Sequence, residues 1–578
     1  MLVYGDRSEQ VDPGALLATL GKELRKLAEA PPGLARHGRL LAALIEAGRL
    51  QQGVADADFG ETATDRRCPA AEEIGRFVTK LARAVCASWE RDFGGSLALP
   101  GVPKTPLPSR VQLREVEGYA FYAVYPEAWI DAARALVLEG PPRVIGIRSI
   151  GTSLAAVAAA ALGAPPPATV RPTGHPFARR LSIAPDLAAQ ILSVPNAHYV
   201  VVDEGPGLSG SSFGAVADWL EEQGVPLRRI AFLPSHDGAP GAEASAAHRE
   251  RWDRVQRIPA DFGPRLASLL TGWLEDALGP LDAPLTEISG GAWRAHVYSD
   301  EADWPAANPQ QERRKFLASA SGETWLVKFA GLGAIGARKL ERARALHAVG
   351  FAPEPRALAN GFIVERWHGD APRGRPPLDT VARYLGTRAR LFPAAPERGA
   401  SIGEQLEMIR RKIGLALGAA AAARLKAPRF ETSVRPVETD NRPDPHEWVE
   451  AQPGRWLKTD ALDHHAAHDL IGCQDIVWDV AGAIVEFGLD EAQAAALSGA
   501  VASAAGRAID PALTAFFVIA YSAFRLGEAT LAAERSQGAE QARLQGKVAR
   551  YAARIRIALA LPERNVSGTE PGIRRFES

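Results

Sequence analysis

Cysteine, long apolar runs and net charge are what this sequence has least of. Three cysteines in 578 residues, Cys68, Cys86 and Cys473, lie too far apart for a zinc knuckle or a disulfide framework, which fits a reducing compartment. Lys plus Arg total 67 against 68 for Asp plus Glu, so a net charge of -1 offers no global attraction to nucleic acid or an anionic membrane. The N-terminal MLVYGDRSEQVDPG lacks the basic start and apolar run of a leader. The richest apolar stretches, Leu154 to Gly163 and Leu513 to Tyr521, are too short to span a bilayer and read as core. No repeat of fixed period occurs. The expectation is a cytoplasmic protein with small-molecule partners, no nucleic acid and no membrane; the oligomeric state is not legible.

What is present is a globular balance, 46% hydrophobic and 23% charged, long enough for about three or four compact units. Apolar spacings of three and four at Leu16 to Leu27, Arg39 to Leu50 and Ala71 to Trp89 predict amphipathic helices. Residues 1–100 therefore read as a helical N-terminal region without a catalytic constellation. Four prolines between Pro100 and Pro108 mark a break. From 105 to 245 apolar runs alternate with helices: Val111 to Tyr125 as strand or hairpin, Arg143 to Ile147, His198 to Asp203 and Arg229 to Pro234 as strands. That alternation predicts an α/β unit with a parallel, helix-covered sheet whose ligand site lies at the carboxyl ends of the strands. Residues 246–284 read as a helical connector. The remainder, 285–578, reads as a two-lobed α+β unit: a strand-rich small lobe at 285–368 and a helical lobe at 369–578.

The most informative segment runs from His198 to Phe213. A buried strand ends in Asp203 and Glu204, then a loop of glycines and hydroxyls enters a helix near Ser212, a natural phosphate cradle. Gly205, Gly207 and Gly210 match the dinucleotide-binding spacing, but two acids just before the first glycine would repel a pyrophosphate, and Asp237 is a loose fit for the acid expected later. Acids beside a phosphate cradle suit sugar hydroxyls better. This segment resembles the signature of type I phosphoribosyltransferases, with Ser in place of Thr and one extra residue between acids and hydroxyl. The resemblance implies that Asp203 and Glu204 contact ribose, and that Gly205, Gly207, Ser209, Gly210, Ser211 and Ser212 surround the 5′-phosphate. It also implies a pyrophosphate loop at Arg148, Ser149, Gly151 and Thr152, and a closing basic loop with Arg171, His175, Arg179 and Arg180. The substrate would be 5-phosphoribosyl 1-diphosphate with Mg²⁺.

Lys328 on the strand from Glu323 to Phe329, Glu341 on the following helix as its expected partner, and the hinge strand from Phe362 to Gly369 resemble the small lobe of aminoglycoside-phosphotransferase-like kinases, with Ser289 to Trp293 as the loop over the phosphates. By that resemblance Asp440 is the catalytic carboxylate, although no His-Gly precedes it and Pro445 stands where Asn is usual. His446 or Glu447 become candidate metal ligands, and Asp460 the Mg²⁺-binding aspartate. Asp475 and Asp479 are structural anchors, and ATP is the implied cosubstrate. A rival reading takes Asp463, His464 and His468 as a metal site on one helical face, similar to DHH or HD phosphoesterases. The sequence as a whole reads as a bifunctional transferase joining phosphoribosyl transfer to a kinase-like unit. The alternatives are a phosphoribosyl or nucleotide sensor with a pseudokinase, and a metal-dependent phosphoesterase.

Overall fold

The computed structural model describes residues 8–560 apart from 310, 428, 430–432, 468 and 469. The first described element is strand Ser8–Val11, which pairs antiparallel with Val111–Arg114 at the entry of the α/β unit. Between them lie helices Pro13–Glu29, Leu34–Thr62 and Pro69–Glu90. The first starts where Asp12 caps the amides of Gly14 and Ala15 at 2.8 and 3.1 Å and Pro13 presets the helical φ. The strand expected over 111–125 stops at Arg114, and Glu117–Phe121 is a short helix. A brief apolar run buried on all sides carries no periodicity that separates the two states.

The parallel sheet has the spatial order Ala168–Val170, Pro142–Ile147, His198–Val202, Ile230–Leu233, Gln256–Arg257. In chain order this is 2-1-3-4-5, a doubly wound sheet whose topological switch lies between Pro142–Ile147 and His198–Val202. Every residue of His198–Val202 is buried, which is why the strand reads as an unbroken valine run. The fifth strand comes from the stretch read as a helical connector, between helices Ala246–Arg254 and Gly263–Leu278.

A second, antiparallel sheet follows in the order Thr286–Glu287, Lys315–Ala320, Glu323–Phe329, Phe362–Arg366, Pro355–Ala359, with helix Gly333–Ala348 packed beside it. The strand expected over 285–298 is confined to Thr286–Glu287, and Ala292–His296 forms a short 3₁₀ turn. This sheet has no core of its own on its inner face. Phe316, Val327, Phe329 and Phe362 belong to the same contiguous apolar core as Leu40, Leu44, Tyr125, Val200 and Trp273. Tyr125 stacks on Phe262 and Trp273 at 4.4 and 5.6 Å and donates a 2.7 Å hydrogen bond to the Asn360 carbonyl. Each such buried ring contributes about 2–3 kcal/mol. At the closest approach Gly333, with φ 58°, sits where a Cβ would lie 3.1 Å from Ala42.

The helical half carries further cores of its own. Its helix Pro511–Glu534 is long and apolar enough to cross a membrane by length and composition, more than the short run around Leu513 suggested, and 61% of its apolar window is buried. It packs between Val477–Glu486, Ile402–Leu417 and Gly538–Ala558.

Candidate functional site

Two carboxylate-bearing sites lie on either side of the shared core. The first is the switch point of the parallel sheet. Asp203 and Glu204 follow His198–Val202, and Ser149 follows Pro142–Ile147 with φ 122°, a conformation costly for any residue but glycine. Burial pushes the Asp203 carboxyl up to about 7 against the pull of its own backbone contact at Glu204 and of Arg171 and Arg179. Gly151 opens the next helix so close to the strand that a Cβ would meet the Val202 carbonyl at 2.7 Å and Asp203 at 3.4 Å. Thr152 is fully buried there, its hydroxyl without a partner. Gly205 lies where a Cβ would meet the His236 ring at 2.8 Å, and Gly207 and Gly210 take φ 57° and 65° to bring the loop into helix Ser211–Glu222.

The hydroxyls of that loop are engaged. Ser209 and Ser211 both donate to the Pro176 carbonyl, at 3.2 and 2.8 Å, so the hairpin Thr173–His175 with Ala178–Arg180 rests on the loop, while Ser212 is half-buried beside them. His175 and Arg180 are exposed on the hairpin, and Arg179 is half-buried close enough to influence Asp203.

Two expected anion donors are used otherwise. Arg148 pairs with Asp65 and, at 3.0 Å, with Asp56; Arg171 donates to Asp56 at 3.0 Å and through its backbone to Asp65 at 2.7 Å. Helix Leu34–Thr62 and the loop after it push these two acids under the carboxyl edge of the sheet, so Arg148 and Arg171 brace the loops instead of facing a ligand. The N-terminal region, read as lacking a site, thus shapes this one.

The second site is a cleft between the antiparallel sheet and the helical half, with a volume of about 170 Å³. In Glu323–Phe329 the side chains of Trp325, Val327 and Phe329 enter the core, which leaves Leu326 and Lys328 facing the cleft. Lys328 forms an ion pair with Asp460, a residue at φ 52° just beyond strand Arg455–Lys458. That pair joins the small lobe to the helical lobe. Burial would lower the lysine and raise the aspartate; Asp460 holds Lys328 above its ordinary value and Lys328 holds Asp460 well below. Glu341, the expected partner, is exposed. Helix Gly333–Ala348 turns Lys339 inward instead, to Asp463 at 2.9 Å, and burial lowers that lysine to about 8.

Asp440 is displaced from the role the sequence suggested. It is 1% exposed, accepts 2.5 and 3.4 Å contacts from Tyr384 and Lys458, and does not line the cleft. Burial would raise it, but Lys458, His464 and Arg388 hold it well below the carboxylate range. Asp479 accepts the backbone amides of Asp440 and Asn441, both at 2.8 Å, and so fixes this turn. The acids that reach the cleft from the turn are Asp444 and Glu447. Burial raises Glu447 to about 7 although Lys458 donates to it at 2.6 Å; burial likewise raises Glu365 on the hinge strand to about 7.

His446 lines the cleft, but burial lowers it to about 3 and its ring faces Trp293 at 6.0 Å; it belongs to neither group of residues able to share a metal. Those groups are Asp460, Asp463 and His464, and Asp440, Glu447 and His464, with ligand atoms within 4.8 Å of one another. His464, against the effect of burial, is raised by Asp460 and Asp440, and a proton on the ring opposes its use as a ligand. Asp460 and Asp463 remain, two hard oxygen donors of the kind that hold Mg²⁺ jointly with substrate phosphates. Of the rival metal site, Asp463 and His464 come together with Asp460, but His464 lies in a turn rather than on a helix, and His468 lies outside the described residues. The turn from Ser289 to Trp293 is closed by Glu312, which accepts from the Gly291 amide and the Trp293 indole at 2.8 and 2.9 Å.

The two sites are physically linked by helix Glu117–Phe121. Its Gly118 amide donates to Glu204 at 3.0 Å, its Ala120 carbonyl accepts from Lys339 at 3.3 Å, and Phe121 lies under Arg313 and Lys339.

No protein-family model matches the chain, and no curated protein matches it. Solved structures do. Choline kinase LicA from Streptococcus pneumoniae aligns at 17% identity over 41% of this chain and 89% of its own, with a TM-score of 0.28. Spectinomycin phosphotransferase APH(9)-Ia, in complex with ADP and spectinomycin, aligns at 11% over 51% and 98%, with a TM-score of 0.33. A thermostable mutant of aminoglycoside phosphotransferase APH(4)-Ia, in complex with AMP-PNP and hygromycin B, aligns at 12% over 51% and 98%, with a TM-score of 0.30. The neighbours are phosphotransferases. At such identities and TM-scores the likeness does not by itself fix chemistry, which rests on the residues of the cleft.

Proposed function

We propose that the cleft binds a nucleoside triphosphate and transfers a phosphoryl group to a small molecule. The observation that carries this is the Lys328–Asp460 pair spanning the two lobes inside the cleft. A half-buried cation on a strand and a half-buried anion on the opposite lobe neutralise each other until a ligand supplies phosphate for one and Mg²⁺ for the other. Lys328 then binds phosphate oxygens, and Asp460 with Asp463 would hold Mg²⁺, which neutralises charge on the phosphates when bound. Glu447, near neutrality and facing the cleft, takes the proton of the acceptor hydroxyl. Lys458 orients that carboxylate from behind.

A second reading is favoured by one specific observation: the acid pair Asp203 and Glu204 and the Ser-Gly loop meet at the topological switch of a 2-1-3-4-5 sheet. On this reading the switch point binds a phosphoribosyl group, with the acids on ribose hydroxyls and Ser209, Ser211 and Ser212 on the 5′-phosphate after the hairpin lifts its Pro176 carbonyl from Ser209 and Ser211. The chain is then a transferase with two sites.

Calorimetry with AMP-PNP and with 5-phosphoribosyl 1-diphosphate, each with Mg²⁺, tests both. AMP-PNP affinity should fall by roughly 30-fold or more in Lys328→Met, the loss of one charge-assisted contact, and its Mg²⁺ dependence should vanish in Asp460→Asn. Phosphoribosyl diphosphate binding should disappear in Asp203→Ala with Glu204→Ala and persist in Lys328→Met. Absence of AMP-PNP binding to the native protein removes the phosphotransfer reading.

A further inference from the structure

The cleft carries more positive charge than the pair at Lys328 explains. Its lysines and arginines face carboxylates within salt-bridge range: Lys328 faces Asp460, Arg442 faces Glu528, and Arg525 and Lys547 share Asp444. Arg313, Lys315 and Arg366 are likewise paired. Arg373 is different. Its guanidinium donates only to two backbone carbonyls, of His446 at 3.2 Å and His368 at 3.4 Å, and its Nε is buried with no partner. Among the described residues no carboxylate stands within salt-bridge range of it, and burial lowers its pKa, with Tyr298 and Glu447 opposing from further away.

A partly buried guanidinium without a counter-ion is costly unless an anion completes it. Its surroundings say which kind. Burial lowers both His446 and His368, the two imidazoles beside it, so they are neutral, and Trp293 and Trp367 add aromatic faces, the latter 5.8 Å from the guanidinium. One strong cation ringed by neutral planar side chains suits a planar ring bearing an anionic group, with the forked guanidinium matching phosphate oxygens.

We propose that Arg373 is the anchor of a second-substrate subsite in the cleft, specific for a phosphate monoester attached to a planar ring system, and distinct from the triphosphate contacts of Lys328. This deepens the phosphotransfer reading, since it makes the acceptor a phosphorylated compound. A basic or neutral acceptor would leave Arg373 uncompensated.

The test uses the full chain, with phenyl phosphate and phenol as probes, followed by tryptophan fluorescence and calorimetry. Phenyl phosphate should bind the native protein and phenol should not. Arg373→Met should weaken phenyl phosphate roughly tenfold or more, Arg373→Lys should restore part of the loss, and Lys328→Met should leave it within about twofold, with circular dichroism confirming that each variant is folded. No binding to the native protein, no change in Arg373→Met, or equal losses in Arg373→Met and Lys328→Met would each overturn the proposal. AMP-PNP titrated in parallel separates the two claims: its failure with phenyl phosphate binding intact removes the nucleotide reading and leaves the anion subsite standing.

Discussion

Asp203 shows how much a single environment changes a residue. The chain order announces an acid at the end of a buried strand, and only the fold reveals that burial lifts it from 3.8 to about 7. Between those values the folded protein keeps a proton that the unfolded chain has lost. Folding therefore takes up a proton in that window, and the contribution of this group to stability falls as pH rises from about 4 to about 7. In Asp203→Asn, urea unfolding at about pH 4.5 and about pH 7.5 should show the native protein losing on the order of 2 kcal/mol more than the variant between the two. An identical pH profile for both would show that the carboxyl is not held neutral. Asp440 teaches the opposite lesson. An acid in the expected stretch of sequence is a poor guide when a neighbouring turn decides which side chains point outward; Asp479 grips the amides of residues 440 and 441, and the cleft receives Asp444 and Glu447. Arg373 had no sequence signal at all, because a missing counter-ion exists only in three dimensions.

At the scale of elements, long periodic helices and the valine-rich strand were legible because their patterns repeat. The short pieces were not: Glu117–Phe121 reads as strand, and Gln256–Arg257 hides between two helices. Both are too brief for periodicity and are set by what they pack against. The stretch from Arg171 to Arg180 reads as a basic loop able to close over a diphosphate, while its docking on Ser209 and Ser211 was not legible, since backbone carbonyls such as Pro176 leave no trace in composition. That docking makes a prediction of its own. In Ser209→Ala with Ser211→Ala the hairpin loses two hydrogen bonds, worth about 1–2 kcal/mol together. Tryptic cleavage after Arg179 or Arg180 should accelerate several-fold, while the melting temperature of the whole protein stays within a few degrees. An unchanged cleavage rate would show that the hairpin is held by something other than Ser209 and Ser211.

For the whole molecule, alternation of strands and helices followed by a strand-rich then helical stretch conveyed two kinds of sheet, but not that they share one interior. Sequence patterns report which face of an element is apolar and not which distant element covers it. Because Phe316, Val327, Phe329 and Phe362 face the same core as Leu40, Leu44 and Trp273, a fragment beginning at residue 285 would expose a broad apolar sheet face. Expressed alone it should be aggregated by size-exclusion chromatography, and co-expression with residues 1–284 should recover soluble material. A monodisperse, folded fragment 285–578 would refute the shared core as a requirement.

The shared interior also governs supply. A cell that makes this chain receives both sites in fixed one-to-one proportion, and a protease that opens the core removes both together. With both halves on one chain, synthesis cannot change the amount of one site relative to the other.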